Sequence, residues 1–473
     1  MKENLFREIP SVDSLLGDEA GRRLAAKFGR ESFLKACRAA LDDLRREIIS
    51  ADDAAKMEEA VAREHIFGRI EAVLDKSFSA SLERAVNATG ILMHSGLGRA
   101  VLSEAAREAM AEASRGYCTL ALDLETGRRG QRDARVSRLL RELTGAESAT
   151  LVNNNAAATV LVLHALAQGK EVIVSRGQLV EIGGSFRMPD VMAMSGAILR
   201  EVGTTNKTHL RDYVQAINPN TGAILRVHHS NYRIVGFTEE PTIEELVEAG
   251  DEHGLPVIDD LGSGALVDLR EYGLETEPLV ARSVGAGVAA ACFSGDKLIG
   301  GPQSGLIVGK AEFIDRIKKD PLARAFRCGK LTVAAMEATL RLFLRPERLR
   351  EDHPFYRMLS LSPDELNRRG RRLEGRLKKR LPPDVRISVI DGGSQIGSGS
   401  APVETIPTKL LSVSSASPGP DELGRRLRLH RPPVFTRISK DAVLLDLRTI
   451  LPGEDAIVEE SLVGCFSNEP NRS

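Results

Sequence analysis

The stretch Phe293-Ser294-Gly295-Asp296-Lys297-Leu298-Ile299-Gly300-Gly301-Pro302-Gln303 places a lysine just after an apolar run, in a glycine-rich loop. A lysine that only aids solubility has no need of such a loop. A Schiff-base lysine, in contrast, needs a rigid and partly desolvated site to be nucleophilic. The glycines would let the backbone approach a ligand closely, and Ser294 could donate a hydrogen bond to a phosphate. By itself the motif favours a functional site over an ordinary surface loop only modestly.

Short apolar runs alternate with helical patterns on both sides of this loop, from about residue 86 onward. Strands that are apolar throughout and alternate with helices predict a largely parallel sheet in a three-layer α/β domain. Ligands of such sheets lie beyond the carboxyl ends of the strands, so we expect the functional residues in the loops that follow them. The predicted strands are Ala149–Val152, Glu171–Val174, Ala197–Val202, Ala223–Val227, Pro256–Ile258, Ala290–Phe293 and Gly305–Val308, and the predicted helices include Ser103–Ser114, Val136–Thr144, Ala156–Ala167 and Ile243–His253.

A second signal precedes the lysine loop, in Val257-Ile258-Asp259-Asp260-Leu261-Gly262-Ser263-Gly264. It places a carboxylate at the end of a predicted buried strand. In fold-type I pyridoxal-phosphate enzymes, an aspartate at such a strand end pairs with the pyridine nitrogen and makes the ring an electron sink. The alternative is an aspartate that caps a helix or a turn, which is common after strands. Asp259 is preferred over Asp260 because it directly follows the predicted strand, but the choice between them stays open.

A third signal is the amide-rich segment Asn153-Asn154-Asn155-Ala156, between a predicted strand and a predicted helix. Small and amide residues at the start of a helix offer free N–H groups to an anion, which suits a cofactor phosphate. Asparagine-rich turns and caps are common, so this segment adds weight only beside the lysine and the aspartate.

With these elements in order, the chain resembles the bacterial selenocysteine synthases, the L-seryl-tRNA(Sec) selenium transferases. Two departures from the family pattern are visible: His94-Ser95-Gly96 stands where His-Thr-Asn is usual, and His228-His229 stands where a single His is usual, of which His228 is taken as the match. The stretches that carry the resemblance are Val86–Gly90, Gly96–Ala100, Leu122–Gly127, Ser175–Arg187, Val202–Thr208, Ser230–Tyr232, the lysine loop and Asp446–Arg448.

The resemblance implies that pyridoxal 5′-phosphate is bound through Lys297. The enzyme would convert seryl-tRNA(Sec) to selenocysteinyl-tRNA(Sec) with selenophosphate, through an aminoacrylyl-tRNA held by the cofactor. It also implies an active site at a dimer interface, a ring-shaped homodecamer, and an N-terminal module that recognises the tRNA. The implied cofactor-binding residues are Lys297, Asp259, Asn154, Asn155, Ala156, His228 and Ser294. The implied selenophosphate-binding residues are Arg99, Arg324 and Arg327, oriented by Asp296.

We expect three domains, since 473 residues exceed one small core. Residues 1–85 form an N-terminal helical module, in which residues 11–80 have a helical pattern throughout and Ser50-Ala51-Asp52-Asp53 indicates the end of one helix and the N-cap of the next. Residues 86–331 form the large cofactor-binding α/β domain, and residues 332–473 a small α+β domain. The elements predicted for the small domain are Leu331–Leu344, the basic stretch Arg368–Arg380, Arg386–Ile390, Thr408–Val413, Glu422–His430, Val434–Ile438 and Ala442–Leu447, with loops at Gly392–Ala401 and Ser412–Pro420.

Composition narrows the class of protein. Lys and Arg number 65 against 66 Asp and Glu, no run of 18 apolar residues exists, and the start MKENLFREIP lacks the apolar region of a secretory signal. Five widely spaced cysteines argue against a disulfide framework or a zinc site. We therefore expect a cytoplasmic protein without a membrane or DNA partner. The basic excess of residues 321–473, 26 Lys and Arg against 19 Asp and Glu, suits a polyanion or simply solvated helix faces.

Three alternatives stay open on the sequence. One is a related lyase or aldolase acting on a sugar phosphate or a small amino acid. The retained N-terminal module and arginines argue against it. A second is a cysteine desulfurase, which needs an accessible cysteine, whereas Cys292 lies in a predicted buried strand. A third is a tRNA-binding protein without catalysis, which the intact Lys297 and Asp259 argue against.

Overall fold

The computed structural model describes residues 2–51, 57–79, 81–183, 186–274, 277–400 and 404–467. It divides into two compact units, Met1–Arg84 and Ala85–Ser473. None of the helices in these ranges combines the length and the apolar character needed to cross a membrane.

The first unit is helical, as its apolar spacing predicts. Phe33, Leu41, Leu44 and Ile48 are buried along one face of the longest helix of the described part of this unit. That helix ends at Ser50, whereas the predicted N-cap at residues 52–53 lies outside the described residues. The helices are α1 (Lys2–Glu8), α2 (Val12–Gly17), α3 (Glu19–Phe28), α4 (Arg30–Ser50) and α5 (Arg63–Phe78).

The second unit is built around a seven-stranded sheet. Its strands, in chain order, are β2 (Ser148–Val152), β3 (Glu171–Ser175), β6 (Ile198–Val202), β7 (Thr221–Val227), β8 (Val257–Gly262), β9 (Ala290–Ser294) and β10 (Gly305–Gly309), and their spatial order is β2-β10-β9-β8-β7-β3-β6. Neighbours from β9 to β6 are parallel, whereas β10 is antiparallel to both β9 and β2. Six strands therefore run one way and β10 runs against them, so the predicted largely parallel sheet is confirmed.

Both faces of this sheet are covered, which explains why its central strands are mostly apolar. Two clusters of buried side chains lie on the two faces, and all five residues of β9 are buried. One cluster includes residues of α7 (Ala134–Thr144), α11 (Ile243–Glu252), α12 (Val280–Ala286) and α15 (Lys330–Leu342), and the other includes residues of α8 (Asn155–Ala167), α9 (Met188–Ser195) and α13 (Ala311–Lys319). The layers are thus helices, sheet and helices.

A smaller antiparallel sheet carries the last part of the chain. Its strand order is β11-β12-β15-β14, and its apolar core also takes in Val86 and Ala88, because β1 (Val86–Asn87) pairs with β13 (Val434–Phe435). Strand β11 runs to Ser394, so the first three residues of the predicted loop Gly392–Ala401 belong to this strand instead. The strands of this sheet are β11 (Arg386–Ser394), β12 (Ile406–Ser414), β14 (Arg437–Ser439) and β15 (Ala442–Asp446), and its helices are α18 (Pro363–Leu377), α19 (Pro420–Leu429) and α20 (Asp455–Phe466).

The predicted boundary between residues 331 and 332 falls inside α15. Val333, Met336 and Leu340 of this helix belong to the core of the large sheet.

The remaining elements are α6 (Glu104–Ser114), α10 (Leu210–Ala216), α14 (Pro321–Ala325), α16 (Leu349–Asp352), α17 (Pro354–Ser360), the short hairpin β4 (Glu181–Ile182) and β5 (Phe186–Arg187), and 3₁₀ turns at Glu59–Val61, Ser95–Leu97, Arg176–Gln178, Leu269–Tyr272 and Pro346–Arg348.

Candidate active site

Four strands of the large sheet end at one edge and bring the predicted site residues there. Because β2, β7, β8 and β9 run in the same direction, their carboxyl ends share that edge. Helix α8 begins just after β2, His228 follows β7, and Ser294 ends β9 three residues before Lys297. The sheet topology therefore gathers residues that are far apart in the sequence.

Lys297 is buried, with 6% of its surface exposed. Burial, and then the positive charge of Arg99, lower the pKa of its ammonium, while the carboxylates of Asp260, Asp296 and Glu277 act in the opposite direction. The neutral amine is the nucleophilic form of lysine, so this environment suits a lysine that forms a Schiff base.

Asp260 is the carboxylate on the side of the strand that faces helix α8. It accepts hydrogen bonds from Asn155 Nδ2 at 2.8 Å, from Thr159 Oγ1 at 3.1 Å and from the Gly262 amide at 3.2 Å. Burial raises its pKa, and these hydrogen bonds and the positive charge of Lys297 oppose that rise. Asp260 and Lys297 are thus electrostatically coupled within the same site.

The Asp259 carboxylate accepts its hydrogen bonds on the other face of the strand. Arg226 Nη1 lies 3.3 Å from both of its carboxylate oxygens, and Ser283 Oγ donates to it at 2.6 Å. Strand β8 continues through Gly262 instead of ending at Ile258, so the two aspartates are consecutive strand residues and point to opposite faces. This geometry does not support the sequence-based preference for Asp259 as the carboxylate that faces the cofactor.

The start of α8 has the features of an anion site. Asn154 caps the helix, its Oδ1 accepting from the Ala157 amide at 2.8 Å. The preceding amides, those of Asn155 and Ala156, have no partner within the helix, as at every helix start. In the described structure the buried Oδ1 of Asn155 has no hydrogen-bond partner either. A Cβ on Gly305 would come within 2.2 Å of the Asn154 carbonyl oxygen, so glycine there lets β10 lie close to this turn.

His228 and Ser294 lie at the same edge. The His228 amide donates to the Asp260 carbonyl at 2.9 Å, and the His228 side chain lines a cavity of about 380 Å³ with His229 and Tyr232. Ser294 is buried at the end of β9.

Arg99 and Asp296 form an ion pair beside the lysine. Arg99 Nη1 donates to Asp296 Oδ2 at 2.8 Å, and the Arg99 side chain stays about one-third exposed (34%). Its backbone has a φ of 65°, a conformation that non-glycine residues adopt only rarely. Arg99, Asp296 and Lys297 therefore form one group with a cation open to solvent.

Arg324 and Arg327 belong to a second group. They line a cavity of about 480 Å³ that Arg132 also lines. The positive charges of Arg132, Arg324 and Arg129 lower the pKa of Arg327. Throughout the described ranges, no hydrogen bond or ion pair joins this group to Arg99 or Asp296, so within one chain Asp296 orients Arg99 alone.

Several residues of the site escape sequence reasoning. Thr159, Arg226 and Ser283 hold the two aspartates, and Arg129 and Arg132 join Arg327. Only Arg226 gives a signal, because it is a charge inside an otherwise apolar predicted strand. The others become visible only when the strands are paired.

The residues at this edge fit pyridoxal phosphate. A buried amine of lowered pKa, a buried carboxylate coupled to it, and a capped helix start are the groups that its aldehyde, pyridine nitrogen and phosphate require.

Comparison with known proteins identifies the family. Residues 85–451 match the family L-seryl-tRNA selenium transferase, and residues 6–45 match the family Selenocysteine synthase N terminal. The L-seryl-tRNA(Sec) selenium transferase of Geobacter sulfurreducens is 48% identical over 458 residues, covering 97% of this chain and 98% of that protein. The protein of the same name from Alkaliphilus metalliredigens is 44% identical over 461 residues, covering 98% of each.

Among solved structures, D-glucosaminate-6-phosphate ammonia-lyase shares the fold. Its TM-score is 0.57 at 17% sequence identity, over 83% of this chain and 97% of that one. Together with the full-length sequence matches, this confirms the predicted fold class. The chain belongs to the L-seryl-tRNA(Sec) selenium transferases, a family of pyridoxal-phosphate enzymes of fold type I.

Proposed function

We propose that this protein converts seryl-tRNA(Sec) to selenocysteinyl-tRNA(Sec), with selenophosphate as the selenium donor. The observation that carries the proposal is the buried Lys297 beside Asp260 and Arg99, in a chain that matches curated selenium transferases over nearly its whole length. Lysine and carboxylate supply the cofactor chemistry, and the arginine is a cation for an anionic donor.

Lys297, Asp260 and the first amides of α8 would hold pyridoxal phosphate. When bound, the cofactor supplies an electron sink for the charge that develops at the serine α-carbon. We propose Asp260, instead of Asp259, as the partner of the pyridine nitrogen, because Asp260 is coupled to Lys297 and Asp259 is held by Arg226 and Ser283. Ser294 and His228 border the same edge and remain proposed cofactor contacts.

Lys297 is also the proposed proton carrier. Its lowered pKa keeps Nζ neutral over a wider pH range, so Nζ can accept the α-proton of the seryl group. The resulting ammonium can then protonate the departing serine hydroxyl. The buried position of Lys297 limits competing exchange with water.

We propose that Arg99, Arg324 and Arg327 bind selenophosphate. This donor carries about two negative charges near neutral pH, by analogy with phosphate monoesters, and arginine binds such oxygens in pairs. The separation of Arg99 from Arg324 and Arg327 within one chain agrees with a site shared between two subunits. A dimer-based homo-oligomer, and the ring-shaped decamer that the resemblance implies, are part of this proposal.

A cysteine desulfurase activity receives no support from the two cysteines near the site. Cys292 is fully buried, and burial raises the pKa of its thiol well above the usual value. Burial also raises the pKa of Cys328 to about 12. Neither side chain is a ready thiolate nucleophile.

The test is incubation of the cofactor-loaded protein with seryl-tRNA(Sec) and selenophosphate, followed by mass analysis of the esterified amino acid. Selenocysteine is expected with the wild type and none with Lys297→Ala. Arg324→Ala and Arg327→Ala should still dehydrate serine, but should lose about ten- to a hundredfold in selenium transfer at limiting donor, because each removes a charged hydrogen bond.

Arg138→Ala is the matched control, since Arg138 is an exposed arginine paired with Glu142 on α7. Unchanged serine on the tRNA, with activity on a free small amine, would contradict the proposal. Loss of bound cofactor and dehydration in the Arg324 and Arg327 variants would contradict their role in donor binding.

A further inference from the structure

Three arginines line one cavity, and a fourth lies close to them. Arg132, Arg324 and Arg327 line the cavity of about 480 Å³, and Arg129 is close enough for its charge to lower the pKa of Arg327. In the part of the chain that the structure describes, none of the four forms an ion pair with a carboxylate. Like charges held together repel each other, so such a cluster points to a bound anion.

The carboxylates that line the same cavity are engaged elsewhere. Asp133 accepts a hydrogen bond from Thr150 Oγ1 at 2.6 Å. Asp320 lies 2.8 Å from His164 Nδ1 and accepts from the Leu322 amide at 2.8 Å. Neither carboxylate forms an ion pair with these arginines in the described residues, and Lys318 and Lys319 also line the cavity, so its wall keeps a surplus of positive charge.

The cavity suits a nucleotide better than a single small anion. Its volume lies within the range of about 300–1,000 Å³ that is usual for sites of larger organic ligands. Leu151, Pro321 and Val333 add an apolar wall to the arginines. A nucleotide matches this combination, because it joins a charged phosphate to a flat base.

The cavity lies next to the cofactor edge of the sheet. Arg327 pairs with Val152 at the end of β2, and the Asn153 amide donates to the Phe326 carbonyl at 2.9 Å, just before α8 begins. Arg129 and Arg132 come from a different segment, in which Leu122 pairs with Arg129. An RNA end bound along Arg129 and Arg132 would thus lie near the end of β2, where α8 begins.

A second cavity, of about 830 Å³, adjoins the first and also has Arg132 in its wall. Tyr117, Leu122 and Leu124 line it and are largely exposed. Its four basic side chains, Arg132, Arg135, Lys330 and Arg341, are matched in number by the carboxylates of Glu112, Asp123, Glu125 and Glu337, so the positive surplus lies in the first cavity. Sites for single-stranded nucleic acid combine basic side chains with aromatic surfaces on which bases stack. The unpaired arginines favour such a polyanion over a second copy of this chain, whose formal net charge is only −1.

We propose that Arg129 and Arg132 bind backbone phosphates of the single-stranded 3′ end of the RNA substrate, beside the donor-binding Arg324 and Arg327. This inference rests on the proposed function, since it takes an aminoacylated tRNA as the substrate. It adds two binding residues and assigns the 3′ end to a position beside the donor-binding arginines.

The test measures equilibrium binding of fluorescein-labelled tRNA(Sec) to the full-length, cofactor-loaded protein, with and without the 3′ CCA. Arg129→Ala and Arg132→Ala should raise the Kd of the complete tRNA about tenfold. Each should also reduce the slope of log Kd against log salt by about 0.7. On the tRNA that lacks CCA they should have no effect, whereas Arg324→Ala and Arg327→Ala should mainly raise the KM for selenophosphate. Arg138→Ala serves again as the matched control.

Several results would overturn the inference. An unchanged Kd would show that the cluster does not contact RNA, and an equal loss on the shortened tRNA would place the contact elsewhere. A raised KM for selenophosphate with unchanged RNA binding would make both arginines part of the donor site. Dissociation of the oligomer in sedimentation would assign the surface to a second copy. Because RNA binding is measured without donor or turnover, a failure of the proposed function would be seen separately, as absent selenium transfer by the wild type.

Discussion

At the scale of single residues, the positive charge of Arg99 adds to burial in lowering the pKa of Lys297. Removing this cation in Arg99→Ala should raise the pKa of the lysine, because a nearby positive charge disfavours the ammonium form. Cofactor incorporation into the apoprotein, which needs the neutral amine, should then require a higher pH than in the wild type. The measurement is the rate of absorbance change on adding pyridoxal phosphate, as a function of pH. A profile that stays in place or moves to lower pH would contradict this account, and Arg138→Ala should leave it unmoved.

The neighbouring aspartates should differ in what they lose when neutralised. Asp260→Asn should keep the fold but greatly slow turnover and change the absorbance of the bound cofactor, because the ring nitrogen would lose its anionic partner. Asp259→Asn should mainly destabilise the protein, by about 3 kcal/mol, because Arg226 would lose its buried counter-ion.

Chemical denaturation and single-turnover rates measure the two effects. If Asp259→Asn instead gave the altered cofactor spectrum with unchanged stability, and Asp260→Asn stayed active, Asp259 would be the partner of the pyridine nitrogen.

At the scale of the element, the start of α8 has two separable functions. Asn154 caps the helix, and the amides of Asn155 and Ala156 are free to bind an anion. Asn154→Ala should cost about 1 kcal/mol of stability, because the Ala157 amide loses its cap. Asn154→Asp should keep the cap and the stability, yet weaken cofactor affinity by placing a negative charge where the phosphate is proposed to bind. Denaturant midpoints and the Kd for pyridoxal phosphate distinguish the two. Equal cofactor affinity in Asn154→Asp and the wild type would move the phosphate site away from α8.

At the scale of the whole molecule, the unit Ala85–Ser473 contains its own apolar cores, as does Met1–Arg84. Deleting residues 1–84 should therefore leave a folded protein that binds cofactor, with weaker affinity for tRNA(Sec) and slower conversion of its serine. Thermal unfolding, the absorbance of bound cofactor and RNA binding are the measurements. A truncated protein that bound the tRNA as tightly as the full chain would require another role for the first unit.

The basic stretch Arg368–Arg380 has less free charge than its composition indicates. Arg371 and Lys378 pair with Glu374, while Arg376 and Arg380 pair with Glu459 of α20. This stretch therefore uses much of its positive charge in ion pairs with neighbouring residues, which favours the interpretation as a solvated helix face over a strong electrostatic attraction for RNA.

The sequence by itself determined the family, the fold class and the lysine. Strands buried on both faces are mostly apolar, so the central strands of the large sheet could be located from the pattern of apolar residues. Lys297 stands out because a charge in a glycine-rich loop after a buried strand has a local signature. These features depend on residues near each other in the chain.

Only the tertiary structure decided which side chains meet. The sequence could not show that β8 continues through both aspartates, because a charge at the end of an apolar run reads as the end of the strand. Pairing with β7 and β9 extends the strand, and alternation then sends Asp259 to Arg226 and Asp260 to Asn155. The reversed direction of β10 and the meeting of Arg129 and Arg132 with Arg327 likewise follow from long-range packing, for which a linear sequence carries no local signal.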